Sequence, residues 1–250
     1  MMHFLENLTP YILVEETDST SSYLQRLCNR EKLEEFTTVF TNYQTAGKGQ
    51  RGNSWESQAG KNLLFSFITY PGFLEIRKQF MLSKIIALSI KESLDKYAGG
   101  FTIKWPNDIY HGNKKICGTL IENDLQGSKI QRSIAGVGIN VNQEQFLSNA
   151  PNPVSLLNIT GKAHAILPLL SDVLENTKCY YTLLKEGREE EINALYHQSL
   201  YRKEGYHLYE DNDGPFRARV IEVLPQGLLA LEDANGRRRE YAFKEVRYVI

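Results

Sequence analysis

Residues 41–60 read TNYQTAGKGQRGNSWESQAG, and within them Gly47, Gly49 and Gly52 are interleaved with Lys48 and Arg51 just ahead of Trp55. Glycines let a backbone approach a ligand and take positive φ, free N–H groups can point at phosphate oxygens, and cations offset the remaining charge. The stretch is a candidate nucleotide or adenylate site, with a solvated glycine-rich turn as the plain alternative. Its GKGQRG core satisfies G-x-G-x-x-G, but the usual owners of that pattern do not fit. A dinucleotide fingerprint opens a helix and needs an acid closing a second strand ~20 residues later, whereas strand composition resumes after this loop. A protein kinase needs HRD and DFG, and the sequence has neither. The Walker pattern fails because Asn53 stands where its lysine belongs. No G-x-S-x-G elbow occurs, and the five histidines are scattered singly, so neither a nucleophile triad nor a metal cluster is indicated.

Other chemistry-bearing residues gather in four places. Lys104, Asn107 and Asp108 lie in FTIKWPND, Lys114 and Lys115 in KKICG, and Gly136, Gly138 and Asn140 in GVGIN. Residues 17–22 (TDSTSS) are rich in helix-capping side chains, which makes that turn either a plain cap or a polar wall for a small ligand.

The elements that must position these groups follow from periodicity and turn chemistry. Residues 11–15, 37–43 and 62–70 have strand composition, so the glycine loop joins two strands, and the unbroken apolar run of the last predicts burial on both faces. Between residues 15 and 37, Leu24 and Leu27 predict a helix starting near Ser19 or Thr20. Residues 76–97 predict a long amphipathic helix ended by Gly99 and Gly100. Residues 101–108 read as one strand arriving at Pro106, and residues 114–122 and 130–141 as an antiparallel pair. Strand alternation sends Lys114 and Lys115 to opposite faces. Gly118, Gly136 and Gly138 mark places of close backbone or ligand approach. Residues 142–160 read as a loop, residues 166–184 as a second amphipathic helix, and 189–201 as a short helical patch. Five short β runs then follow between DNDG, PQG and ANG turns, which predicts a small barrel-like module from about residue 201.

Composition excludes several classes. Lys and Arg total 29 against 30 acids, so there is no global pull toward nucleic acid or an anionic membrane. No apolar run approaches the ~20 residues of a membrane span, and the N-terminus lacks a secretory core, which predicts a cytoplasmic protein. Cys28, Cys117 and Cys179 are far apart and odd in number, and read as small buried apolar residues.

Taken in order, GKGQRGNSW (residues 47–55), KWPND (104–108), KKICG and GVGIN resemble the biotin protein ligases, whose pattern is a GRGRxGxxW loop, KWPND, K-[IL]-x-G and G-x-G-[IV]-N. The resemblance covers nearly the whole chain. It implies an α+β catalytic domain of the class II aminoacyl-tRNA synthetase-like kind, with a mixed and largely antiparallel sheet and flanking helices, over residues 1–200. A C-terminal SH3-like β-barrel would occupy residues 201–250. It implies MgATP-dependent attachment of biotin to a lysine of a biotin carboxyl carrier protein through biotinyl-5′-AMP. By analogy, Ser19, Thr20, Ser21 and Gln44 would bind the biotin head group, with Lys48, Gly49, Gln50 and Gly118 around biotin and phosphate. Lys115, assisted by Lys104, would be catalytic. Lys48, Arg51, Trp55, Asn107, Asp108 and Asn140 would serve ATP and the adenylate, Asp108 also being the candidate Mg2+ ligand. Gln50 stands where the family usually has an arginine, which predicts a leakier adenylate. The first catalytic strand begins by Tyr11, so the resemblance is to the short form without a DNA-binding domain. A lipoate or octanoate ligase on a related scaffold, or a non-catalytic ligand-binding homologue, are the alternatives. A homodimer is compatible with the sequence, but its pairing strands are not distinguishable from interior ones. Arg237–Arg239 are either a docking patch for an acidic carrier or a solvated turn.

Overall fold

The computed structural model describes residues 10–147 and 151–250. Tyr11–Thr17 (β1) and Thr38–Gln44 (β2) run parallel with helix Thr20–Cys28 (α1) between them. The chain passes through the glycine loop and returns antiparallel as Leu63–Thr69 (β3), all seven residues of which are buried, as the apolar run predicts. Phe80–Asp95 (α2) is followed by Phe101–Lys104 (β4), Asp108–His111 (β5), Lys114–Gln126 (β6) and Lys129–Ile139 (β7). These strands complete a mixed seven-stranded sheet in the order β1-β2-β3-β7-β6-β5-β4. Leu156–Thr160 (α3), Ile166–Lys185 (α4) and Glu189–Gln198 (α5) lead to a five-stranded antiparallel sheet. Its strands are His207–Asp211 (β8), Gly214–Val223 (β9), Leu229–Asp233 (β10), Arg238–Tyr241 (β11) and Arg247–Tyr248 (β12), in the order β11-β10-β9-β8-β12.

Three elements differ from the sequence reading. The single strand expected over 101–108 is a hairpin, β4 and β5, because Pro106 brings no N–H to a ladder and the chain turns there. The helix expected from residue 76 begins with a separate 3-10 turn, Ile76–Lys78. The expected loop 142–160, of which residues 148–150 lie outside the described residues, contains α3. Its start is a reciprocal cap: Ser155 Oγ accepts from the Asn158 N–H, and the Asn158 side chain accepts from the Ser155 N–H. Of the cysteines, Cys117 is buried, Cys28 half-buried and Cys179 exposed, so the expectation of three buried thiols holds for one.

One face of the large sheet, carrying Leu63, Phe65, Phe67, Val137 and Ile139, packs with α2 and α4 in the main core. On the other face Val39, Ile68 and Ile134 pack against Leu24 of α1. α1 covers part of that face, and the remainder, bearing Gly118, Gly136 and Gly138, is faced by the glycine loop and a cleft.

Lys84 of α2 is 2% exposed. Its ammonium donates to Asn193 Oδ1 at 2.7 Å and sits 5.5 and 5.4 Å from the ring centroids of Phe80 and Tyr196. Burial pushes its pKa from 10.5 down to about 8, against the opposing fields of Glu189 and Glu222. Between pH 8 and 10.5 the unfolded chain therefore holds a proton that the fold releases. The cost of burying the charge is fully present below pH 8 and is relieved as pH rises toward 10.5. At ~1.4 kcal/mol per tenfold, that gap is worth at most about 3 kcal/mol. In urea unfolding, wild-type stability relative to Lys84→Met is expected to rise across this window. A pH-independent difference would show that the buried charge is not strained.

Candidate functional site

A cleft of about 620 Å³ lies on the α1 face of the large sheet, and six strands, one helix N-terminus and the glycine loop contribute its walls. The hydroxyl wall comes from the start of α1. Ser19 is extended (φ −157°, ψ 138°) and makes no side-chain cap; its Oγ lies 3.0 Å from Ser21 Oγ instead. Thr20 donates its N–H to Gln44 Oε1 at 2.8 Å, and its Oγ1 lies 2.7 Å from Ser66 Oγ. Asp18 stays out of the cleft: the Arg26 guanidinium grips its carboxylate and holds it well below the usual carboxylate range. Of the two readings of the TDSTSS turn, the polar wall is the one the geometry supports.

The glycine loop folds as a hairpin. Lys48 bridges Ser54, the Gly49 N–H donates to Asn53 O at 2.7 Å, and the Trp55 N–H to Gly47 O at 2.9 Å. A 3-10 turn, Gln50–Gly52, forms its tip, and the Arg51 side chain lies outside the described residues. Gln50 Nε2 donates to Asn107 Oδ1 and to Thr119 O, both at 3.2 Å, fastening the tip to the KWPND turn and to β6.

Glycine spacing makes the floor. Gly118 of β6 and Gly138 of β7 face each other across the ladder, and the Trp55 ring lies on the flat patch they leave. A Cβ at Gly138 would come within 2.5 Å of that ring, and one at Gly118 within 2.9 Å. Gly136, two residues along β7, similarly clears Ser66 and Ser21. The close approach inferred from these glycines is thus to a tryptophan and to the hydroxyl wall.

The charged end is built by the β4–β5 hairpin and the start of β6. Lys115 Nζ pairs with Asp108 Oδ2 at 2.7 Å and lies 5.9 Å from the Trp55 ring centroid. Lys114 is exposed and takes no part in the cleft; strict alternation would set it on the face of Gly118, and a register shift between β5 and β6 brings Lys115 there instead. Burial lowers the pKa of Lys104, opposed by Asp108 and reinforced by Lys115 and Arg202. Lys48, Lys104 and Lys115 make this end of the cleft cationic in a chain of net charge −1, so the anion affinity is local. Three residues of the cleft lining carry a buried polar side-chain atom without a hydrogen-bond partner among the described residues: Trp55 Nε1, a donor, Thr119 Oγ1, and Asn140 Oδ1, an acceptor. Buried orphans of this kind suit a ligand with complementary edges.

Ser19, Thr20, Ser21, Gln44, Lys48, Gly49, Gln50, Trp55, Lys104, Asn107, Asp108, Lys115, Gly118 and Asn140 all line this one cleft. Ser66, Glu56, Tyr110 and Phe243 also line it and were not singled out from sequence. Ser66 had a signal, a lone hydroxyl inside the apolar run NLLFSFITY. Phe243 had none, since it arrives from the C-terminal sheet. Of Arg237–Arg239, Arg237 and Arg238 are exposed, and two of the three are ion-paired. Arg238 pairs with Glu222 and Glu240, and Arg239 with Asp211 and Asp233 while covering the Phe216 ring.

Residues 13–140 match the family model described as the biotin/lipoate A/B protein ligase family. The bifunctional ligase/repressor BirA of Bacillus subtilis is 35% identical over 127 residues, 50% of this chain and 38% of that protein. The biotin–[acetyl-CoA-carboxylase] ligase of Paracoccus denitrificans is 30% identical over 175 residues, 62% of this chain and 65% of that one. The chain thus spans less than two thirds of the length of these relatives. The structure of biotin protein ligase from Aquifex aeolicus in complex with biotin and ATP superposes with a TM-score of 0.80 at 26% identity, covering 96% of this chain and 100% of that one. No helix among the described residues is long and apolar enough to cross a membrane.

Proposed function

The chain belongs to the biotin/lipoate A/B protein ligase family, and on that premise we propose that it attaches biotin to a lysine of a biotin carboxyl carrier protein through biotinyl-5′-AMP. The observation that carries this reading is the polarity of one continuous cleft, with uncharged hydroxyl and amide groups at one end and lysines at the other. A neutral ureido head group suits the Ser19, Thr20, Ser21, Gln44 and Ser66 array. The carboxylate at the far end of the same molecule would then reach Lys115. Adenine would stack on the open face of Trp55 near Asn140, and the phosphates would lie toward Lys104 and Lys48.

In the first step a carboxylate oxygen of biotin attacks the α-phosphorus of ATP and pyrophosphate leaves with the bond electrons. Two anions must meet, so the protein's task is to offset charge where it accumulates, and Lys115 between the carboxylate and the α-phosphate does this. In the second step the amine of the carrier lysine attacks the acyl carbon, AMP leaves, and an amide forms. No enzyme nucleophile is needed. Among the described residues no cluster of three metal-ligating side chains occurs. Magnesium delivered on ATP needs only one or two carboxylates beside the phosphates, a donor set that Asp108 fits, with Asn107 adjacent. Bound there, it would offset phosphate charge. We assign the catalytic role to residues 1–200 and a supporting one to 201–250. Biotin-dependent exchange of labelled pyrophosphate into ATP tests the reading. Exchange with lipoate instead would move the chain to the lipoate branch, and exchange with neither would leave a ligand-binding homologue.

Gln50 bears on how long the adenylate is held. Its carboxamide clasps Asn107 and Thr119 through neutral hydrogen bonds, which are about 1 kcal/mol weaker than charge-assisted ones. Gln50→Arg is expected to cut stray biotinylation of an unrelated lysine-rich protein about fivefold, with pyrophosphate exchange little changed. Equal stray labelling by both proteins would sink the idea.

A further inference from the structure

Within the ligase reading, on which this inference rests, Lys104 faces the phosphates. Its ammonium lies between two ring faces, 5.2 Å from the centroid of Tyr110 in β5 and 4.9 Å from that of Tyr248 in β12. Among the described residues it makes no ion pair or hydrogen bond, and the nearby Asp108 carboxylate is engaged by Lys115. A partly buried cation without a counter-ion is held by whatever negative potential surrounds it, and here that is two aromatic faces. Its N–H donors remain free for an anion in the cleft.

The Tyr248 ring is itself fixed. It packs at a tilt, with ring centroids 5.0 Å from Tyr209 and 5.8 Å from Tyr201, and β12 is registered on β8 with Tyr248 opposite Tyr209. The next two residues of the chain are held in a comparable way. Trp105 Nε1 donates to Gly227 O at 2.9 Å in the turn between β9 and β10, and Pro106 O accepts from Tyr196 of α5 at 2.6 Å. The C-terminal sheet therefore reaches the reaction through the segment it grips, and not only through Phe243 at the cleft. We propose that Tyr248 is a positioning residue for adenylation, its ring fixing the Lys104 ammonium toward the nucleotide phosphates.

The test is pyrophosphate exchange by the full chain at varied ATP and biotin. Tyr248→Leu is expected to lower kcat/KM for ATP about tenfold with KM for biotin unchanged. Tyr248→Phe keeps the ring and is expected to rescue the loss. Tyr110→Leu, which removes the other ring from a different sheet, is expected to act in the same direction. On a Lys104→Ala background Tyr248→Leu should cost less than about twofold. Equal losses in the Phe and Leu variants, a rise in KM for biotin as large as that for ATP, or losses that multiply on Lys104→Ala would overturn the proposal. A wild-type chain with no exchange would refute the ligase reading itself, an outcome distinct from an active wild type with an indifferent Tyr248.

Discussion

Lys115→Ala is expected to lower biotin-dependent pyrophosphate exchange by about two to three orders of magnitude, the scale on which loss of one preorganised charge-stabilising donor is felt. Lys115 stands where the two halves of the cleft meet. Its Nζ is 2.7 Å from Asp108, and its terminal atoms would lie 3.2 Å from a Cβ at Gly118, so the side chain folds over the floor toward the indole. An attacking carboxylate and the α-phosphate must both pass this point, and without a cation there they repel. Arginine is expected to recover little, because a wide planar guanidinium does not replace a compact ammonium in that slot. Lys114→Ala is the control: the residue is exposed and outside the cleft, and its loss is expected to leave exchange unchanged. Single-turnover adenylation followed by quench, with folding checked by circular dichroism, separates a chemical defect from a structural one. Near-wild-type exchange by Lys115→Ala would remove Lys115 from the reaction.

The choice between the two lysines followed from the K-[IL]-x-G spacing of the resemblance and not from the strand period, which alone would set Lys114 on the face of Gly118; the register shift that brings Lys115 there is not visible in the sequence. The floor was half legible. Glycines inside strands announce a close approach, but not that the approaching group is Trp55, 59 residues before the chain reaches KKICG. What composition did not carry was anything arising from sheet-to-sheet contact. Tyr248 reads as one aromatic in a short β run, and only assembly of the two sheets places it over Lys104. β5 was missed because four residues beside a proline turn are too short for a period to register, and α3, at five residues, for the same reason. Arg238 and Arg239 illustrate the converse. Three arginines in a row suggest a surface, yet two of them are taken up by acids brought from other strands.

Gly138→Ala is expected to raise the ATP concentration needed for half-maximal exchange by about tenfold to a hundredfold while leaving biotin binding largely intact, the range for losing about 1–3 kcal/mol of base stacking. On propensity alone the substitution should help, since glycine weakens a strand interior. The site opposes it. A methyl group at Gly138 would lie 2.5 Å from Trp55 Cε2 and 2.6 Å from Nε1, distances at which something must move. The Trp55 backbone cannot yield cheaply, because its N–H is bonded to Gly47 O and a Cβ at Gly47 would already be 2.6 Å from Trp55 O. The ring must therefore swing off the Gly118–Gly138 seat, and any base stacked on it loses its cover. The hydroxyl wall is built by Ser19, Thr20, Ser21, Gln44 and Ser66, and the atoms nearest the methyl group are all of Trp55, so biotin affinity measured by calorimetry should persist. Adding Trp55→Ala to Gly138→Ala should then cost little more, because the first change has already displaced the ring. Unchanged nucleotide dependence in Gly138→Ala, or full additivity of the two changes, would show that adenine lies elsewhere.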